Sequence, residues 1–227
     1  MTTAIVMAAG EGTRLRPVTE RWPKPVLPID GRPVVATLVR ELAVHIERIY
    51  VVTGHLAEQV ENLLGDGAAF AVELVYVRQP APAGSLDAVR RAVEAGAEPP
   101  FLVSAADTVF TRGDTRTFAE AAAGFDGGLA VRRIPPPDAS HRQPVRIEDG
   151  CVVRVIDDDR ANPLGAVPLW WVGAGLLDYS GGAAGLSDVL QRAIDDGRRI
   201  AGVEIGPTRD LTRPQDLVVE NFPYLGS

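Results

Sequence analysis

The residues best suited to chemistry lie near the start of the chain, in Ala8-Ala9-Gly10-Glu11-Gly12-Thr13-Arg14-Leu15 and then Pro23-Lys24-Pro25. Two glycines behind an apolar run let the backbone turn tightly, so that its N–H groups can face a phosphate without side chains intervening. Arg14 and Lys24 add full positive charges to that loop. Of the 23 basic residues only Lys24 is a lysine. On a solvated surface arginine and lysine are nearly interchangeable, so a lysine kept in so arginine-biased a chain points to a need for a compact, flexible ammonium, which meets a phosphate differently from a planar guanidinium. The spacing is neither the GxxxxGK[ST] of a P-loop nor the GxGxxG of a dinucleotide fingerprint, because Leu15 stands where the third glycine would be.

The elements that position this loop can be read from period and punctuation. Thr3–Met7 is a short apolar run entering the turn at Ala8-Ala9-Gly10 and reads as a buried central strand. After a loop marked by Pro17, Pro23, Pro25 and Pro28, the spacing predicts a helix over Val34–Ile46 with Pro33 near its start. Strands over Arg48–Thr53, Val72–Val77 and Phe101–Ala105 then alternate with helices near Leu56–Leu64 and Leu86–Ala95. Such alternation implies right-handed crossovers and a mostly parallel sheet. Beyond residue 110 the pattern gives a helix at 114–123 and strands near 128–134, 144–148, 151–156 and 167–177. A helix at 186–196, a strand at 199–205 and a last helix from Pro214 to Asn221 follow. Turn-rich segments lie at Pro135-Pro136-Pro137-Asp138 and at Glu148-Asp149-Gly150, the latter an Asp-Gly hairpin signal. The expected fold is α/β, a Rossmann-like three-layer sandwich with a mostly parallel central mixed sheet and a small inserted β region. One domain is expected over residues 1–227, with a nucleotide-binding half at 1–110 and an acceptor-binding half at 111–227.

Composition bounds the partners. At 227 residues and 46% hydrophobic content the chain can bury one large core. A net charge of −7 opposes general binding to nucleic acid or to an anionic membrane, so any anion site must be local. The single cysteine, Cys151, cannot form an internal disulfide, and residues 1–10 show no basic leader before their apolar run. No apolar stretch approaches the ~20 residues needed to cross a bilayer. A cytoplasmic location is expected.

The combined run from Ala8 to Pro28 resembles the signature of the sugar-1-phosphate nucleotidylyltransferases. In that family the glycine-rich loop wraps a nucleoside triphosphate, and an arginine and a lysine contact phosphates near the scissile bond. The resemblance implies triphosphate contacts by Ala8, Ala9, Gly10, Gly12 and Thr13, with Arg14 and Lys24 as the catalytic cations. Gln79-Pro80-Ala81-Pro82-Ala83-Gly84-Ser85 is similar to the family's base-recognition loop, which implies Gln79, Gly84 and Ser85 as nucleotide contacts. Ser104-Ala105-Ala106-Asp107-Thr108 resembles the strand-end Gly-Asp that holds magnesium, with Ala106 in the glycine position. Thr208-Arg209-Asp210-Leu211 resembles the late motif whose aspartate completes the metal site. Asp107 and Asp210 are therefore the expected Mg2+ ligands. The chemistry agrees, since a hard cation is satisfied by a few carboxylate oxygens, substrate phosphates and water.

The sequence departs from the family on the acceptor side. Where many members carry Glu-Lys-Pro, this chain reads Val155-Ile156-Asp157-Asp158-Asp159-Arg160, and no second lysine exists to replace the missing one. Arg146 and Arg160 are the candidates to hold the acceptor phosphate, and the acidic run 157–159 is expected to be a solvated turn. Trp171 and Gly173, in Trp170-Trp171-Val172-Gly173, are expected beside the acceptor. The chain stops at Ser227 without a repeat tail, so the appended acyltransferase domain of some relatives is expected to be missing.

The function implied is Mg2+-dependent transfer of a nucleotidyl group from a nucleoside triphosphate to a sugar 1-phosphate or a related small phosphate, releasing pyrophosphate. Alternatives are a cytidylyltransferase for a polyol or amino-alcohol phosphate and a silent regulatory protein that binds a sugar nucleotide. A glycosyltransferase would use an Asp-x-Asp, which Asp157-Asp158-Asp159 matches only formally, and would leave the Gly10–Lys24 loop unexplained. His45 and His55 are expected to pack or cap, and no nucleophile-base triad is required.

Overall fold

Thr3–Ala8 (β1) is covered on both faces, with Ala4, Ile5, Val6 and Ala8 all buried. This is the burial of a central strand in a sheet flanked by helices. The computed structural model describes residues 3–133, 143–159 and 161–222. After β1 come β2 (Pro28–Ile29), β3 (Arg32–Pro33), α1 (Val34–Leu42), β4 (Arg48–Thr53), α2 (Ala57–Leu64), β5 (Glu73–Arg78), α3 (Gly84–Glu94) and β6 (Phe101–Ala105). The second half adds β7 (Thr108–Val109), α4 (Asp114–Ala122), β8 (Gly127–Arg133), β9 (Arg146–Glu148), β10 (Cys151–Arg154) and β11 (Leu164–Val172). It ends with α5 (Leu186–Asp195), β12 (Ile200–Glu204), β13 (Arg209–Asp210) and α6 (Asp216–Asn221).

Among the described residues nine strands form one sheet in the order β5-β4-β1-β6-β11-β8-β12-β10-β9. The first four are mutually parallel, while β11 runs antiparallel to both β6 and β8, and β10 is antiparallel to β12 and β9. Helices α1, α2 and α4 bury one face of the sheet through residues such as Val35, Leu38, Val60 and Phe118. Helices α3 and α5 bury the other through Leu86, Val89, Val189 and Leu190. The three-layer mixed α/β sandwich read from the sequence is the fold observed. From β1 the chain moves outward to β4 and β5, then returns through α3 to β6 on the other side of β1. The strand order therefore reverses between β1 and β6, and open α/β sheets hold ligands at the carboxyl ends of the strands flanking such a point.

Several boundaries differ from expectation. Helix α1 stops at Leu42, not Ile46, because the chain turns at 43–45 and then buries Ile46 from outside the helix, so the apolar spacing outlasts the helix. Strand β11 begins at Leu164 and ends at Val172, five residues before the expected end. Gly175, at φ +80°, starts a 3₁₀ turn over Leu176–Ser180. The Asp149-Gly150 turn joins β9 to β10 as read, with both residues at positive φ as a type I′ turn requires. Asp30-Gly31, the same dipeptide with both φ positive, makes a second hairpin of β2 and β3. The tri-proline segment and His141 lie outside the described residues.

Candidate active site

At the reversal point β1 ends in Ala8-Ala9, and the chain leaves the sheet through three 3₁₀ turns at Thr13–Leu15, Val18–Glu20 and Lys24–Val26. Gly12 takes the left-handed conformation (φ 61°, ψ 39°). A Cβ there would stand 3.0 Å from Thr19 Cγ2 and 3.2 Å from the Lys24 Cβ, so the position requires glycine. Gly10 differs, for nothing lies within 4 Å of the place its Cβ would occupy. Its lack of a side chain leaves open space above the strand end. The loop is fastened by Leu15, buried in a small apolar cluster with Leu27, Ile29, Val34 and Leu211. It is also fastened by Thr19, whose buried hydroxyl donates to the Gly12 carbonyl at 2.9 Å.

A cavity of about 260 Å³ opens here, lined in part by Gly10, Gly12, Thr13, Arg14, Lys24 and Asp107, with Leu211 and Thr212 from the far end of the chain. Lys24 Nζ donates to Asp107 Oδ2 across it, the two side chains being 14% and 29% exposed. Asp107 stands just past the C-terminal end of β6, and Thr108 Oγ1 lies 3.4 Å from its other oxygen. The neighbouring Ala106 sends its methyl into the core rather than the cavity, which is why alanine serves at a position expected to be glycine.

A second cavity of about 260 Å³ shares Met7 and Gly10 with the first and is lined also by Ala9, Gln79, Pro82, Gly84, Ser85 and Ala88. Gln79 is buried, and its amide donates to the Gly84 carbonyl at 3.1 Å and to Asp87 Oδ2 at 2.8 Å. Its nitrogen is thus engaged in shaping the 79–84 loop. Gly84 has φ +86°, and its Cβ position would meet the Ala184 carbonyl at 3.2 Å. Ser85 Oγ accepts from the Leu186 N–H at 3.2 Å, so the start of α3 is braced by the 184–186 segment. The Arg91 hydrogen bond, helped by that of Gln79, holds the Asp87 carboxyl below its ordinary pKa.

The late segment reaches the site through a pairing invisible in the sequence. β13 pairs antiparallel with β7, placing Asp210 opposite Thr108, one residue from Asp107. Arg209 clamps this ribbon, with its guanidinium bidentate on Asp30 (2.5 and 2.9 Å) and its Nε on Glu220 at 2.6 Å. The Asp30 hydrogen bond raises the Arg209 pKa, and reciprocally that of Asp30 is lowered. Among the described residues no group of three or more His, Cys, Asp or Glu stands where it could hold a metal. Asp107 lines the cavity, whereas Asp210 is exposed and lies outside its lining, where Leu211 and Thr212 stand instead; a hard cation there would take Asp107 together with phosphate oxygens and water.

The acceptor-side expectations need correction. Trp171 pairs with Leu102 and Val172 with Phe101, at the N-terminal end of β6, because β11 runs antiparallel to it. Trp171 and Gly173 therefore lie at the opposite end of the sheet from Asp107. Trp171 is only 6% exposed and belongs to the core, while Gly173 is packed on the Asp126 carbonyl, which its Cβ would approach to 2.4 Å. The acidic run is solvated at Asp158 and Asp159, as expected, but not at Asp157. Asp157 is buried (side chain 3% exposed) and accepts from Arg146 Nη2 at 2.8 Å and Asn162 Nδ2 at 3.0 Å. The Asn162 hydrogen bond and then those of Asp159 N–H and Arg146 lower its pKa despite burial. Arg146 is thus committed to Asp157 and lies outside both cavities, although half its side chain faces solvent. Arg160 lies outside the described residues.

A glycine-rich loop, two cations and a carboxylate thus line one cavity at the switch point of an α/β sheet. Residues 3–141 match the family described as Nucleotidyl transferase, and the chain belongs to it. It is 26% identical over 230 residues to the low-salt glycan biosynthesis nucleotidyltransferase Agl11 of Haloferax volcanii, covering 96% of this chain and 64% of that protein. It is 33% identical over 224 residues to the bifunctional protein GlmU of Acidovorax ebreus, with 89% and 46% covered. The chain thus spans about half to two thirds of the length of these relatives. Its fold is similar to the inositol-1-phosphate CTP transferase from T. maritima, with a TM-score of 0.79 at 22% identity over 95% of this chain and 91% of that one. It is also similar to a UDP-glucose pyrophosphorylase from Acinetobacter baumanii, with a TM-score of 0.80 at 19% identity over 96% and 91%. Among the described residues no helix is long and apolar enough to cross a membrane.

Proposed function

We propose that this chain transfers a nucleotidyl group from a nucleoside triphosphate to a sugar 1-phosphate, forming a nucleoside diphosphate sugar and pyrophosphate with Mg2+. The observation that carries this reading is the pair of adjoining cavities meeting at Met7 and Gly10, one walled by Arg14, Lys24 and Asp107 and the other by the 79–85 loop. A nucleotide laid across Gly10 would put its phosphates among the cations and its base against Gln79–Ser85. In the reaction an oxygen of the acceptor phosphate bonds to the α-phosphorus as the bond to the bridging oxygen breaks, and pyrophosphate takes the electron pair. The acceptor is already an anion at neutral pH, so no general base is needed.

Bringing the phosphates together is the main obstacle. Two unit charges repel by about 4 kcal/mol at ~4 Å for an effective dielectric near 20. Arg14 and Lys24 lower that cost on the protein side, and the N–H groups of the loop orient the chain of phosphates. Magnesium, held by Asp107, would supply further charge neutralisation. Arg160 remains the proposed acceptor-side cation, because Arg146 is held by Asp157 and lines neither cavity. A cytoplasmic, single-domain enzyme free of nucleic-acid and membrane partners is the setting proposed.

Pyrophosphate release tests the reading, with UTP, dTTP, CTP, GTP and ATP crossed against sugar 1-phosphates and polyol or choline phosphates. Release requiring one triphosphate and one sugar 1-phosphate supports it. Release only with CTP and a polyol or amino-alcohol phosphate would replace it by the cytidylyltransferase reading, which the shape shared with the inositol-1-phosphate CTP transferase keeps in view.

A further inference from the structure

The phosphate loop leaves the sheet at Ala9 and runs to Lys24 without pairing to any sheet strand. Arg14 and Lys24, the two of its cations that line the first cavity, flank Thr19 in sequence. What holds Thr19 lies outside the loop. His55, the second residue after β4, donates from its backbone N–H to the Ala9 carbonyl at 3.4 Å, and its ring Nε2 stands 2.7 Å from the Thr19 carbonyl. A carbonyl can only accept, so Nε2 carries the proton and donates. Gln59, four residues on, donates its side-chain amide to the Arg21 carbonyl at 2.8 Å. Thr19 in turn passes the constraint inward, through its hydroxyl bond to the Gly12 carbonyl and its methyl against the place where a Gly12 Cβ would be, 3.2 Å from the Lys24 Cβ. Gly54 allows this approach, because a Cβ there would meet Ala9 and the Gln79 carbonyl at 2.8–2.9 Å.

We propose that His55 is a positioning residue for the triphosphate, fixing through Thr19 and Gly12 the loop that carries Arg14 and Lys24. The parallel arrangement of β4 beside β1 is what puts it there, since the first residues after a neighbouring strand lie against the loop that leaves the central one. His55 touches neither cavity, and it acts only by holding the loop in its binding shape. Pre-ordering of this kind shows as ligand affinity, because a loop that must order on binding lowers the affinity by the cost of ordering.

The inference rests on the nucleotidyl-transfer reading for its kinetic arm and on loop geometry alone for its exchange arm. His55→Leu removes the ring donor. His55→Gln keeps an amide donor at a similar reach. In the protein without nucleotide, amide hydrogen exchange over residues 10–23 is expected to quicken about tenfold in His55→Leu, while α2 and β6 stay as in the wild type. The KM for the triphosphate is expected to rise about tenfold with the acceptor KM unchanged, and His55→Gln is expected to recover most of both effects. Unchanged exchange in His55→Leu, or faster exchange spread equally through α2 with no recovery in His55→Gln, would overturn the proposal. If the wild type transfers no nucleotide, the reading of function fails while the exchange result still decides the role of His55.

Discussion

Lys24 and Asp107, 83 residues apart in the chain, meet at the head of the sheet, with the lysine ammonium on Oδ2 of the aspartate. The lysine comes from a loop and the aspartate from a strand end, and each lies in a part-buried place where a lone charge is costly. Either partner must change company for a triphosphate and a cation to enter together. Lys24→Ala and Asp107→Asn are each expected to lower turnover at least about 100-fold, as loss of one charge-stabilising group does. Circular dichroism should show the fold retained. Near-normal turnover in either would remove that residue from the chemistry.

The two glycines of the loop make separable contributions. Gly12→Ala sets a side chain at positive φ and against Thr19 and Lys24, so it is expected to destabilise the protein by about 1–3 kcal/mol and to impair activity. Gly10→Ala meets no protein atom and should leave the melting temperature unchanged while raising the triphosphate KM. Thermal unfolding with steady-state kinetics on both variants checks the contrast.

Leu15 fastens the loop to a small cluster that also contains Leu211, so one side chain couples the first and last segments of the site. Leu15→Ala should cost about 2–5 kcal/mol, the usual range for a buried leucine. Urea unfolding gives this value directly.

Asp157 has a pKa below the ordinary carboxylate range, and the sign of its pH effect follows. A depressed carboxyl contributes stability that is present above its unfolded pKa, near 4, and is lost as the pH falls through the folded value. Asp157→Asn should therefore lower the melting temperature at pH 7, with the gap to wild type narrowing below pH 4. A gap independent of pH would show that shape, not charge, makes Asp157 matter.

His45 has a pKa lowered chiefly by burial and further by Arg116, with Glu120 opposing, and its Nε2 is buried without a hydrogen-bond partner among the described residues. The depressed value means that stability is full above pH ~6.5 and falls as the pH drops toward the folded pKa. His45→Gln is expected to flatten the fall in melting temperature between pH 7 and pH 5.

Local rules along the chain account for the structure immediately around the site. The run Thr3–Met7, the glycines behind it, the isolated Lys24 and the turn at Asp149-Gly150 all obey rules that act over a few residues, and helix and strand periods could be read wherever one face is buried. Tertiary structure decided which distant pieces meet and which way they run. Trp171 and Gly173 fell at the wrong end because strand direction is fixed by pairing with β6 and β8, which apolar alternation does not encode. Asp157 reads as one more acidic surface residue until Arg146 and Asn162 enclose it, and His55 reads as a helix-start residue until the parallel register brings Thr19 to its ring. Asp210 comes opposite Thr108, the residue after Asp107, only through the β7–β13 pairing that Arg209 clamps. Short-range sterics and periodicity are written locally along the chain, whereas register, direction and the pairing of buried charges depend on contacts that close only when the whole sheet assembles.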